Sequence, residues 1–278
     1  MGYMKIKSFL RKFFLYFCLS IGALLMLAPL LWMVFASFMS LKEILSIPPV
    51  LIPGEINFGN YKEVFSQIPF FRFFCNSVIV AVITIISVLL TSALGGYAFA
   101  KFDFPGKKIL FLLVLGTMMI PFQVRMIPLY VMLHNWGWTD SYKGLIIPGL
   151  VEAFGIFLMR QFMQSIPNDL LDAARIDGAS EPYIFFRIVL PLTGPALSAL
   201  TIFTLIGNWE SFLWPMIVTN SERLYTLPIG LAMFSGRYIS HTEIQMAAAT
   251  LTVLPLVVAF LILQKKFIQG VALTGLKG

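Results

Sequence analysis

An all-α, polytopic membrane protein is the fold class that three features of this 278-residue sequence predict. Hydrophobic residues make up 59% of the chain and charged residues only 12%, where a soluble domain carries about 25% charge. The apolar residues gather into six runs of about membrane-crossing length, and a bilayer core of roughly 30 Å needs about 20 helical residues. Lys and Arg collect at the ends of those runs, unequally on the two sides.

The runs cover about 13–38, 74–100, 109–132, 144–162, 195–219 and 246–264, which leaves no room for a separate soluble domain in 1–278. Within lipid each is expected to be a helix, because unpaired backbone groups there are costly, and the period-two alternation of a membrane barrel is missing. Lys5, Lys7, Arg11 and Lys12 precede the first run. They resemble the charged end of a signal peptide, but the uncharged stretch from Phe13 to Phe38 exceeds an h-region of about 7–15 residues, so a retained span is expected. Ile6 stands where a myristoylation signal needs Ser or Thr.

Orientation follows from the positive-inside rule. With the N-terminus inside, the inner side collects those four cations together with Lys101, Lys107, Lys108, Arg160, Arg175, Arg187, Lys265, Lys266 and Lys277. The outer side holds only Lys42, Lys62, Arg72, Lys143, Arg223 and Arg237. Both termini are therefore expected in the cytoplasm. Trp136, Trp138 and Tyr142 suit an interfacial belt in the connection between the third and fourth runs. Pro121 and Pro128 are expected to bend or break the third run, and the fourth, opened by Gly144 and Pro148, is marginal in length.

The net charge of +7 would suit a nucleic-acid partner. The cations lie at span ends, however, without a basic face carrying interleaved aromatics, so lipid rather than nucleic acid is the expected surroundings. Cys18 and Cys75 form neither a disulfide framework nor a metal pattern, and His134 and His241 have no ligand-spaced neighbours. No metal site and no catalytic residue is expected.

Between the fourth and fifth runs the inner connection spans about thirty residues, long for a turn. At its start, Pro167 suits a first helical turn and Asp169 and Asp172 suit a helix N-terminus. Gly178 can supply a left-handed stop, and Ser180 can cap a second helix, with Pro182 in its first turn, running to Leu190. Helix, tight turn, helix is the expected form of 165–192. Small Ala173, Ala174 and Gly178 permit a close-lying partner, with Asp172, Arg175 and Asp177 as charges around them. The same composition also suits an amphipathic helix on the membrane surface.

Asp172-Ala173-Ala174-Arg175-Ile176-Asp177-Gly178-Ala179, followed by Ile188-Val189-Leu190-Pro191, resembles the EAA loop of binding-protein-dependent ABC import permeases. Asp172 stands where that pattern has Glu. The similarity extends to Pro29-Leu30-Leu31-Trp32, Asn60-Tyr61, Asn76-Ser77 and Ile120-Pro121 through Ile127-Pro128-Leu129-Tyr130. It continues in Asn208-Trp209-Glu210-Ser211-Phe212-Leu213-Trp214-Pro215 and in the tail Lys266-Phe267-Ile268-Gln269-Gly270, ending Gly275-Leu276-Lys277-Gly278. These stretches resemble the carbohydrate-uptake branch, and within it the smaller permease partner of the maltose type.

The resemblance implies a type I ABC importer permease fold in the cytoplasmic membrane of a prokaryote. It implies a second permease subunit, two ATPase subunits and an extracytoplasmic solute-binding protein as partners. Asp172, Ala173, Ala174, Asp177, Gly178 and Ala179 would then form a coupling helix seated on an ATPase subunit, and a sugar would cross by alternating access. The chain has no GxxxxGK[ST] loop, so ATP and Mg²⁺ belong to the partner ATPase.

Arg125, Glu152 and Glu210 fall where hydrocarbon is expected, and such residues usually face a bundle interior or a watery cavity. Counting straight helices from the inner ends puts Arg125 and Glu210 at similar heights, about 22–24 Å. They are expected to pair, or to share a network with Glu152, as a gate, part of a solute path or a structural ion pair. Snorkelling of Arg125 to the outer surface is the other reading. Asn208 is the expected polar contact to a solute, with Trp209, Trp214, Phe203 and Phe212 as stacking or packing residues. Three rivals remain: an ion-coupled carrier with Glu152 or Glu210 as proton site, an intramembrane enzyme, and a related permease for a non-sugar solute such as a glycerophosphate. The first lacks a convincing inverted repeat, and the second lacks a nucleophile–base pair.

Overall fold

The computed structural model describes residues 2–237 and 241–275, so Leu276, Lys277 and Gly278 of the tail lie outside the described residues. Every regular element described is helical: α1 (Gly2–Ala36), α2 (Leu41–Ile44), α3 (Gly59–Gln67), α4 (Phe70–Lys101), α5 (Lys107–Met118), α6 (Phe122–Asn135), α7 (Tyr142–Ile146) and α8 (Ala153–Gln164). The chain continues with α9 (Asn168–Ile176), α10 (Glu181–Leu192), α11 (Gly194–Trp209), α12 (Leu213–Val218), α13 (Leu227–Arg237) and α14 (Thr242–Gly275).

Among the described residues four stretches are long and apolar enough to cross a membrane: Lys12–Ala36, Phe70–Lys101, Tyr142–Gln164 and Thr242–Gln264. Two bent pairs raise the number to six if each is one span: α5 with α6, bent by 95°, and α10 with α11, bent by 75°. The third expected run is thus not a straight rod. Pro121 has no N–H to continue the ladder, takes extended backbone at ψ 141°, and α6 starts anew behind it. Pro128 lies inside α6 without ending it. The fifth run is also divided: α11 stops at Trp209, and α12 resumes at Leu213.

The chain separates into two compact units, one of Met1–Pro69 with Leu231–Val253 and one of Phe70–Gly230 with Leu254–Gly278. In the first, the chain turns after α1 and is fastened by side chains. Asn60 Nδ2 donates to Ser37 O at 2.9 Å and Met39 O at 2.8 Å, and Ser37 Oγ lies 2.6 Å from the Tyr61 hydroxyl. Ser40 and Glu43 form a reciprocal capping box on α2. Glu43 Oε1 also accepts from Gly54 N at 3.0 Å, which ties the Pro-rich stretch after α2 back. These N–H donors hold the Glu43 carboxyl below its ordinary range, the Ser40 amide first among them.

In the second unit α4 packs on α8 and α11. A Cβ on Gly96 would sit 2.6 Å from Met159 Cβ and 2.8 Å from Arg160 N, so only glycine lets the two backbones come this close. The inner core below this crossing joins Tyr97, Met159, Met163, Leu171, Ile184, Phe185 and Val189. A second cluster, around Leu133, Leu145, Ile146, Trp214 and Val218, connects α6, α7 and α12, and Trp214 Nε1 donates to Gly144 O at 3.0 Å. Asn76 Nδ2 donates to Arg223 O and Tyr225 O at 2.9 and 2.8 Å, its Oδ1 accepts from the Tyr142 hydroxyl at 2.6 Å, and Ser77 Oγ accepts from Leu227 N at 2.9 Å. The first residues of α4 thereby hold the segment leading into α13.

Candidate functional site

Two features collect the residues that the sequence singled out. The first is the loop at 165–192. Pro167 precedes α9 rather than entering it, with Asn168 as first helical residue. The helix closes with Asp177 N donating to Ala173 O at 3.0 Å and Ala179 N to Ala174 O at 3.0 Å, while Gly178 takes φ +84°. That is the left-handed stop expected of glycine. Ser180 occupies the cap position of α10 without a side-chain hydrogen bond, and Pro182 lies in the first turn. The helix then runs past Pro191 to Leu192. It widens into a π turn at Ile184–Val189, where Leu190 N donates to Phe185 O, just ahead of Pro191, which has no N–H to donate.

Leu171 is the buried side chain of α9, inserted into the inner core, while Ile176 is 86% exposed. Asp172, Ala173, Asp177 and Gly178 are also exposed. Arg175 is engaged within the chain rather than offered outward: its Nη1 meets Asp172 Oδ1 and its Nε meets Glu181 Oε1, each at 2.7 Å. Glu181 Oε2 accepts from the Tyr97 hydroxyl at 2.8 Å. Lys101 Nζ donates to Asn168 Oδ1 at 2.8 Å and to Ile166 O. Sequence reading missed Tyr97, Lys101 and Glu181 because nothing local marks them.

The second feature is a cavity of about 490 Å³ in the same unit. Arg125, Glu152 and Asn208 all line it, together with Thr84, Thr117, Thr204 and Ser211 and the rings of Phe122, Phe154, Phe203 and Trp214. Two helix faces supply much of the wall: Ser77, Val80, Thr84 and Val88 on α4, and Phe203, Thr204, Gly207 and Asn208 on α11. The helical period was visible in these hydroxyls set into apolar runs, and it is the signal that could have found them. Glu152 stands at the break between α7 and α8, where Thr204 Oγ1 donates to its Oε2 at a long 3.5 Å. Asn208 Nδ2 turns back to Thr204 O at 2.8 Å.

Arg125 and Glu210 do not pair. Glu210 lines a separate groove of about 280 Å³ with Ile202, Leu205, Ile206, Leu256, Val257 and Phe260. Arg125 lies instead over the Phe122 ring, 5.9 Å from its centroid. Equal heights along the two runs require a straight third helix, and α6 instead turns by 95° from α5. Among the described residues no group of three His, Cys, Asp or Glu side chains could hold a metal ion.

This arrangement has known counterparts. The family model for the inner membrane component of binding-protein-dependent transport systems matches residues 92–273, a stretch that contains both the loop and the cavity-lining part of α11. Over 90% of the chain and 91% of the relative, 37% of residues are identical to the arabinooligosaccharides transport system permease protein AraQ of Halalkalibacterium halodurans. The sn-glycerol-3-phosphate transport system permease protein UgpE of Pectobacterium atrosepticum is 34% identical over 91% of the chain and 92% of the relative. A chain in the crystal structure of a bacterial ABC transporter involved in the import of the acidic polysaccharide alginate superposes with a TM-score of 0.81. It is 25% identical, covering 93% of this chain and 96% of that one. The sequence, with the match spanning most of its helices, belongs to the binding-protein-dependent transport system inner membrane components.

Proposed function

We propose that the chain is one permease subunit of an ATP-driven importer that carries a sugar from an extracytoplasmic binding protein into a prokaryotic cytoplasm. The observation that carries this reading is the loop at 165–192. A short helix anchored by Leu171 presents Ile176, Asp177 and Gly178 outward at the end of the chain's inner core. In this reading Asp172, Ala173, Ala174, Asp177, Gly178 and Ala179 are the face seated on an ATPase subunit. ATP and Mg²⁺ are bound there and not here. A second permease subunit completes the path, and both termini lie in the cytoplasm, as the excess of inner cations supports.

The test is reconstitution with the partner subunits and the binding protein, comparing Gly178→Arg with Gly178→Ala. A Cβ at Gly178 meets nothing within 4 Å, so both variants bear the same backbone cost of about 1–2 kcal/mol for a left-handed L-residue. Only Arg protrudes into the docking face. The expected result is ATP hydrolysis without uptake in Gly178→Arg and near-normal coupling in Gly178→Ala. Equal behaviour of the two variants counts against the docking face.

A sugar is supported by the arabinooligosaccharide and alginate systems among the relatives. The cavity, with its Thr and Ser hydroxyls and aromatic rings, suits a polyol. A glycerophosphate is the second reading, favoured by the 34% identity to UgpE and by the Arg125 guanidinium on the cavity wall. Arg125→Gln separates them: it should abolish uptake of a phosphate ester and leave uptake of a neutral sugar within about fivefold, since one lost exposed charge contact costs about 1 kcal/mol or less.

A further inference from the structure

The side chains of α9 exposed to solvent leave that helix with little to hold it. Leu171 is its buried residue, with only the half-buried Ala174 beside it in the same core, and so small an apolar contact fixes a position more than an angle. Polar contacts supply what is missing at both ends. At the start of α9, Lys101 from the inner end of α4 holds Asn168 Oδ1 at 2.8 Å. At its finish, Arg175 Nε meets Glu181 Oε1 at 2.7 Å, and the other oxygen of the same carboxylate takes the Tyr97 hydroxyl of α4 at 2.8 Å.

We propose that Tyr97, Glu181 and Arg175 form a clasp that fixes the angle of α9 against α4, so that force applied to α9 turns α4 and α8 instead of swivelling α9 alone. These are positioning residues, acting through the loop. The inference rests on the proposed function, because it needs α9 to be the element that an ATPase pushes.

Three observations distinguish the clasp from an ordinary surface ion pair. Glu181 uses one oxygen toward each element, so neither bond substitutes for the other. Tyr97 is only 6% exposed, packed in the inner core with Leu171 and Phe185, and 5.2 Å in ring separation from the latter. Its hydroxyl is the polar tip of an otherwise apolar ring, directed at the loop. Arg175 is cross-braced from the opposite side by Asp172 at 2.7 Å, which limits the side-chain freedom that makes most exposed pairs weak.

The experiment uses the complete transporter in proteoliposomes and reads solute moved per ATP hydrolysed. Tyr97→Phe removes one hydroxyl and keeps the packing, and Glu181→Gln keeps the size. For each, ATP hydrolysis should stay within about twofold of the parent while the transport ratio falls about three- to tenfold, the range for one hydrogen bond to a charged group once it is discounted for the partial exposure of Glu181. A ratio unchanged in both Tyr97→Phe and Glu181→Gln overturns the clasp. Gly178→Arg in the same vesicles separates the two claims. If it uncouples while Tyr97→Phe and Glu181→Gln do not, only the clasp fails; if it leaves coupling intact, the docking face itself fails.

Discussion

Both amide hydrogens of Asn60 go to main-chain carbonyls just past the end of α1, and the residue is 5% exposed. Replacing it with Ala leaves two buried acceptors without donors, a cost of about 1–3 kcal/mol. Asn60→Asp should be worse, because an acceptor would then face two acceptors. Thermal unfolding of the solubilised protein should rank native above Asn60→Ala above Asn60→Asp. Asp140 shows a different polar arrangement, in the turn between α6 and α7 at φ 50°. Its Oδ1 accepts from Ser221 N, Ser221 Oγ and Asn220 N at 2.8–3.0 Å, and these donors, the Ser221 amide foremost, hold the carboxyl below its ordinary range. A depressed carboxyl gives stability that is complete above the ordinary Asp value of about 3.9 and is lost as pH falls through the lower folded value. Amide protection of Asn220 and Ser221 should therefore be flat from neutral pH to about pH 4 and decline only below it. In Asp140→Asn it should be about fivefold lower at neutral pH, one charge-assisted bond discounted for exposure to about 1 kcal/mol. Protection that changes with pH between 5 and 7 in the native chain counts against that account.

At the scale of elements, the crossing of α4 over α8 depends on missing side chains. Gly96→Ala would drive a methyl into Met159 Cβ and the Arg160 backbone. Neither is the far end of a flexible chain, so the helices must part, at about 1–3 kcal/mol. Gly95→Ala is the control one residue away: its Cβ meets only Ile156 side-chain carbons at 3.3–3.5 Å, which can yield. Melting temperature should fall for the first and hold for the second. This crossing also shows how far the sequence could be read. Hydrophobic run length found the four continuous helices of membrane length among the described residues, Pro121 announced the 95° bend, and Gly178 announced the stop of α9, because each is dictated by local chemistry. What depends on distant partners stayed hidden. Tyr97 and Glu181 lie 84 positions apart in the chain. The supposed meeting of Arg125 with Glu210 failed for the same reason, since heights counted along straight helices say nothing about which way a bent one points. A break near Pro191 is expected as well, but the 75° angle between α10 and α11 is not.

At the scale of the molecule, the second unit divides its polar and apolar surfaces in a way that accessibility can map. Glu152 and Asn208 face the larger cavity, whereas Leu261 on α14 is 57% exposed along a run with Val257 at 44% and Val258 at 48%. A side chain bordering a water-filled path should react with a charged thiol reagent. One facing hydrocarbon should react only with a reagent that partitions into lipid, because a charge at bilayer depth costs several kcal/mol. Cys18 and Cys75 must first be replaced by Ser or Ala, Cys18 being itself exposed. In that background Asn208→Cys and Glu152→Cys should be labelled by the charged reagent, and saturating transported solute should slow the labelling at least severalfold. Leu261→Cys should be labelled by the lipid-soluble reagent alone and be indifferent to solute. Glu210→Cys decides what the separate groove is. Reaction with the charged reagent, without solute protection, is expected of a groove outside the path. Solute protection at position 210, or its absence at position 208, would place the path on the opposite face of α11 and overturn the assignment of the larger cavity.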